Sequence, residues 1–252
     1  MIDLSVRTKA RVWVGTIAGM LLCVVAAILV DSSNFGNFTL DQIRRALTVD
    51  ILLPALLAGP LLFLLLRKIR ALAIAHDEMV VLATTDSLTG ILNRGAFTMM
   101  VEAYLAQTKL AASDSRAALL VIDADHFKTI NDQFGHSSGD EALRRIAGAI
   151  QAALRSADLV GRIGGEEFGV LLPATSGPQA LQMAERIRNS VREIPFPGSD
   201  QNLLSVTIGG VNFHPGSSYD RLFKVADQCL YLAKDGGRNQ VKMISYIDQL
   251  AA

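Results

Sequence analysis

The run from Ala117 to Ile122 is wholly apolar and ends in Asp123 and Asp125, which places carboxylates where a buried strand meets its tip. Further along, Val160 to Leu172 reads as a hairpin whose turn, Gly164 and Gly165, is followed at once by Glu166 and Glu167. Glycines at the turn permit positive φ and let a ligand approach the backbone. Adjacent strand residues face opposite ways, so one Glu is expected to meet Asp123 and the other to face solvent. Two carboxylates buried together unpaired would cost several kcal/mol, and a divalent cation removes that cost. Few hard oxygen ligands, with room left for phosphates, describe a Mg²⁺ site suited to nucleotidyl transfer. Taken alone, the hairpin also reads as a pair of solvated turn carboxylates.

These groups need elements to hold them, and the pattern alternates between helix and strand. It predicts a helix near 94–112, a strand over 117–123 and a helix over 139–155, then short strands on either side of the glycine turn. A helix near 178–192, a strand over 203–211, a helix over 219–234 and a last strand near 240–244 follow. This order is α/β, with helices packed on one sheet in a single domain of ordinary size.

The 252 residues carry 24 Lys and Arg against 24 Asp and Glu, so no net charge points to a nucleic-acid polymer. Half of the chain is apolar and 19% is charged, against roughly 25% in a soluble domain. The excess lies in the first quarter. Val12 to Val30 contains no charge and at about 1.5 Å per residue reaches roughly 28 Å, the thickness of a bilayer's hydrocarbon core. A second apolar stretch, Ile51 to Leu66, contains Pro54 and Pro60 and stops at Arg67, Lys68 and Arg70. Arg7, Lys9 and Arg11 precede the first span, so the positive-inside rule puts both flanks in the cytoplasm and the connecting loop, 31–50, outside. A basic start before an apolar core is also the look of a cleaved signal peptide, although this core is long for one. The loop is too short for a folded sensor domain. Ile69, Leu72, His76, Met79 and Ala83 then recur at helical spacing, as a parallel two-helix seam or a surface-lying amphipathic helix requires. Cys23 and Cys229 give neither a disulfide framework nor metal-ligand spacing.

Five segments occur in order: DSLTGILNR at 86–94, DADHFKTIND at 123–132, GHSSGD at 135–140, RIGGEEF at 162–168 and AKDGGRN at 233–239. With them the chain resembles the GGDEF-domain diguanylate cyclase family over roughly 84–244, as a membrane-anchored member with a GGEEF turn. The resemblance implies a mostly antiparallel central sheet flanked by helices, similar to the class III nucleotide cyclase and polymerase palm fold. It implies a division into a membrane hairpin at 1–66, a helical linker at 67–85 and a catalytic domain at 86–252. The implied activity joins two GTP into cyclic di-GMP and releases two pyrophosphates. That needs a Mg²⁺-dependent homodimer, held through the catalytic domain and the linker helix, with Mn²⁺ as a substitute ion. The location implied is a bacterial-type inner membrane, multi-pass, with the catalytic domain cytoplasmic.

Carried over by position, Asp123, the carbonyl of Ala124 and Glu166 would hold the metal. Glu166 would also accept the proton of the attacking hydroxyl, with Glu167 as a second acid beside it. Asn131 and Asp140 would read the guanine edge, with His136 close by; each also reads as a turn or cap residue, Asp140 as the N-cap of the helix that follows. Lys128, Lys234 and Arg238 would surround the triphosphate. Arg155 and Asp158 would bind product at an inhibitory site, their bland reading being an i, i+3 ion pair at a helix end. Asp86 and Asn93 would fix how the chain enters the domain, and Phe127, Phe134 and Phe168 would be core. Two rivals stand beside this reading: a catalytically silent module that binds GTP or cyclic di-GMP as a membrane-anchored receptor, and a cyclase for another nucleotide.

Overall fold

The computed structural model describes residues 8–110, 116–196, 204–214 and 216–245. Its contacts fall into two units, Met1–Val81 and Leu82–Ala252.

In the first unit, α1 (Lys9–Ser32) is followed by a short 3₁₀ turn and α2 (Leu40–Leu53). A widened π turn over Pro54–Ala58 leads into α3 (Gly59–Thr84). The expected loop over 31–50 is therefore corrected, because α1 runs to Ser32 and α2 begins at Leu40. A capping box starts α2: the Gln42 N–H donates to Thr39 Oγ1, and the Thr39 N–H donates to Gln42 Oε1 at 2.8 Å. At Pro54 the second apolar stretch leaves the regular α-helix for one widened π turn before α3 begins. Trp13 packs on Phe63 with ring centroids 5.0 Å apart, while Leu22, Leu29, Leu56 and Leu61 point outward, each two-thirds or more exposed.

The second unit holds a six-stranded sheet in the order β1 (Leu92–Asn93), β3 (Leu159–Arg162), β4 (Glu167–Leu172), β2 (Ala117–Ala124), β5 (Val206–Phe213), β6 (Val241–Ser245). The three inner pairings are antiparallel; β1 and β6 join the edges in parallel. Strand β2 is buried along its whole length, which is why its sequence is a continuous apolar run. Its Ala118, Leu120 and Ile122 pack under α6 (His136–Ala153) and α7 (Gly177–Arg192), with α5 (Phe127–Phe134) at the margin. Its Leu119 and Val121 face α4 (Arg94–Leu110) and α8 (Tyr219–Asp235). Helix α8 lies directly on the strand backbone: a Cβ on Gly209 would stand 2.2 Å from both the Ala226 carbonyl oxygen and the Leu230 nitrogen.

Helix α5 and strand β1 were not expected from the pattern, and α6 opens at His136, before the expected Gly139. Residues 111–112 and 203, expected at the ends of a helix and a strand, lie outside the described residues.

Candidate functional site

Because β2 and β4 run antiparallel with Asp123 opposite Glu167, the sheet brings its acidic tip against the glycine turn. Asp123 is 6% exposed, and the last turn of α8 delivers Lys234, whose Nζ lies 2.8 Å from Asp123 Oδ2. Burial pushes the Asp123 carboxyl up and Asp125 adds to this, while Lys234 and Arg238 work against it. Burial also raises Glu166, reinforced by the charges of Asp123 and Glu167 and opposed by Lys234. Asp123 and Glu166 therefore lie in each other's field. The Ala124 N–H donates to the Glu166 carbonyl at 3.1 Å. In an extended strand a residue's N–H and C=O point to the same neighbour, so the Ala124 carbonyl also faces the turn. The reciprocal bond from the Glu166 N–H is not formed, which leaves that carbonyl available.

Two expectations about the hairpin are corrected. Neither Gly164 nor Gly165 takes positive φ; a Cβ on Gly164 would sit 2.3 Å from Glu167 Oε2, so a side chain there would displace that carboxylate. Nor do the two Glu divide between site and solvent, since both are half-buried. Glu166 belongs to the turn, where strand alternation does not apply, and β4 begins only at Glu167.

Asp125, the second carboxylate at the tip, is fully engaged elsewhere. It accepts from Thr207 Oγ1 at 2.5 Å, Ser205 Oγ at 2.8 Å and the Asn239 N–H at 3.0 Å. Gly237, Arg238 and Asn239 take positive φ in succession, which turns the chain back so that Asn239 can make that bond. The exposed Arg238 is thereby held near Asp123.

Asn131 sits on α5 with its side-chain oxygen where a Cβ on Gly139 would be, 1.9 Å away. Only glycine at 139 lets α5 and α6 bring Asn131 beside the exposed Asp140. The N-cap reading of Asp140 is corrected: Gly135, at φ +83, sets the helix boundary, so Asp140 lies inside α6. His136 is exposed at the start of α6, and Lys128 is exposed in the first turn of α5, bonded to neither Asp123 nor Glu166. Phe168 is fully buried, and Phe127 and Phe134 pack against the same core.

Arg155 and Asp158 are not a helix-end ion pair. The Asp158 carboxylate accepts from the Arg155 backbone N–H at 2.8 Å, closing a turn after α6 that leaves the guanidinium exposed. Asn93 caps α4 through the Ala96 N–H and donates its amide to the Ala83 carbonyl. Arg162 escaped the sequence reading altogether. Its guanidinium joins the Asp86 carboxylate to the Gly165 carbonyl across 76 residues of sequence, a separation that no local pattern reveals.

Among the described residues no three His, Cys, Asp or Glu side chains gather at one point. A cation at the tip would thus be held by Asp123, Glu166 and the Ala124 carbonyl, with phosphate oxygens and water completing its shell. That donor set suits Mg²⁺, which keeps several waters and takes one or two carboxylates.

The second unit is thus an α/β domain, a mixed sheet flanked by helices with the carboxylates of a glycine turn set against a strand tip. The chain belongs to the family described as diguanylate cyclase, GGDEF domain, which matches residues 83–240. Diguanylate cyclase DgcP of Pseudomonas aeruginosa is 41% identical over 162 residues, 64% of this chain and 24% of that protein. The probable diguanylate cyclase DgcC of Escherichia coli K12 is 32% identical over 230 residues, 90% of this chain and 61% of that protein. Among solved structures, the coiled coil and GGDEF domain of DgcB from Caulobacter crescentus, in complex with c-di-GMP, superimposes with a TM-score of 0.66 at 29% identity. It covers 71% of this chain and 94% of its own. This chain thus spans less than two thirds of the length of either curated relative.

Proposed function

We propose that the chain makes cyclic di-GMP from two GTP, with the setting of the β2 tip at Asp123 against the turn that carries Glu166 as the observation that carries the reading. Each of two facing domains presents the 3′-hydroxyl of its GTP to the α-phosphate of the other; two P–O bonds form and two pyrophosphates leave. Glu166, whose proton affinity is raised, accepts the proton of the attacking hydroxyl, and Glu167 lies beside it. Bound Mg²⁺ supplies Lewis acidity and charge neutralisation at the phosphates. Lys234 is poised to turn from Asp123 to the triphosphate when that carboxylate is otherwise engaged, and Arg238 and Lys128 add positive charge. Asn131 and Asp140, with His136 at the rim, match the donors and acceptors of guanine, which adenine lacks. The exposed Arg155 and the Asp158 turn offer a site where product would slow its own synthesis.

The same reading makes this a membrane enzyme. Two helical stretches, Lys9–Ser32 and Leu40–Thr84, are long and apolar enough to cross a bilayer, with 11% of each apolar window buried. Outward leucines at that density suit lipid better than water. Lys9 and Arg11 at one end, and Arg67, Lys68 and Arg70 after the second stretch, support cytoplasmic flanks and a cytoplasmic catalytic unit in a bacterial cell; Arg7 lies outside the described residues. Ile69, Leu72 and Met79 are exposed along α3, as residues of a seam awaiting a second copy would be. The full chain incubated with Mg²⁺ and either GTP or ATP, with products identified by mass, tests the activity. Cyclic di-GMP from GTP alone is expected, and no product after Glu166→Gln; GTP bound but unconverted would favour the silent receptor.

A further inference from the structure

We propose that Asp31 and Asp50 form a site for a hard divalent cation at the connecting end of the helical hairpin. A Cβ on Gly15 would stand 3.0 Å from Leu66 Cδ1, and one on Gly19 would stand 2.8 Å from Leu62 Cδ1. That antiparallel register, carried along to the other end of the hairpin, brings Asp31 level with Asp50.

Asp50 is 8% exposed, and its Oδ2 has no hydrogen-bond partner. The helical donor to its backbone carbonyl would be the N–H of residue 54, which is Pro54 and has none. Arg44 and Arg45 stand exposed on the same helix and pair with neither acid. A buried carboxylate oxygen without a partner and a facing carboxylate are hard oxygen ligands lacking a counter-charge. A proton would neutralise one acid and leave the other; a divalent cation neutralises both, and water fills its remaining positions. Under the topology above, which this placement rests on, the site lies on the far side of the membrane. There the chain has no folded sensor but a short connection.

The test uses the full chain in lipid nanodiscs, carrying Asp123→Asn and Glu166→Gln to remove the metal-binding acids of the catalytic unit, titrated with Ca²⁺ alone by calorimetry. One site is expected, with Kd on the order of 10⁻⁴–10⁻³ M. Asp50→Asn should weaken it at least tenfold, and so should Asp31→Asn, which lies at a helix end where the fold tolerates it. Unchanged binding in both variants, or no Ca²⁺ binding by the parent, would overturn the site. Since that parent makes no cyclic di-GMP, failure here is separate from failure of the cyclase reading.

Discussion

Arg162 lies between Asp86 and the glycine turn: its Nη1 is 3.2 Å from Asp86 Oδ1, while its Nη2 donates to the Gly165 carbonyl at 2.6 Å. Asp86 is itself fixed by the Thr89 N–H and hydroxyl, in the turn through which the chain enters the domain. A single guanidinium thus ties the domain's first turn to the residue preceding Glu166. Removing it frees the turn without touching any group proposed to meet substrate. Arg162→Ala is expected to lower kcat about tenfold to a hundredfold with a smaller change in KM for GTP. Steady-state rates decide this; an unchanged kcat sinks the positioning role.

The same contact makes a pH prediction. Burial would raise the Asp86 carboxyl, but the Thr89 hydrogen bonds and the Arg162 charge together hold it below its ordinary value. A depressed carboxylate stabilises the fold above its unfolded pKa of about 3.9 and loses that contribution as pH falls through the depressed value. Asp86→Asn should therefore lower Tm at neutral pH, and the two melting curves should converge in acid. A constant difference across that range would refute it.

Asp123 and Glu166 have the opposite sign. Their raised carboxyls favour the protonated fold, so their contribution is present below ordinary carboxylate values and is lost as pH rises through the raised ones. If Mg²⁺ takes the deprotonated pair as proposed, the Tm gained on adding Mg²⁺ without nucleotide should grow as pH rises through that window. The gain should vanish in Asp123→Asn, and a pH-independent gain would place the ion elsewhere.

Base choice should rest on α5 and α6. Asn131→Ala and Asp140→Ala are each expected to cut kcat/KM for GTP about a hundredfold or more while leaving that for ATP nearly constant. Parallel assays with both nucleotides check this, and equal losses for the two would remove these residues from base recognition.

Gly209→Ala should be severe although it lies far from the glycine turn in sequence. The added carbon meets backbone atoms of α8, which cannot rotate aside. Overpacking of this kind costs about 1–3 kcal/mol, or roughly 2–4 °C of Tm per kcal/mol in a domain of this size. Thermal unfolding of the purified chain should show the drop.

What could be read from the chain followed from burial. The central β2 and the strands of the glycine hairpin announce themselves because a buried strand must be apolar throughout, and α7 and α8 because one apolar stripe recurs every turn. Helix α5 stayed hidden because FKTINDQF is only eight residues long and mostly polar. The start of α6 was misplaced because Gly135 breaks the chain at a positive φ that sequence does not display. Asp125 looked like a site acid, and only the fold shows Ser205, Thr207 and Asn239 using all its reach. Arg162 was missed for the same reason: its partners are distant in sequence.

The ammonium of Lys234 on the oxygen of Asp123 has a consequence for the idle protein. If that carboxylate takes a divalent ion as proposed, the lysine is a built-in stopper that keeps the cleft electrically quiet until the ion arrives. On that reading a freshly made chain could fold without waiting for a metal, and a metal taken up there would free the very cation that incoming phosphates need.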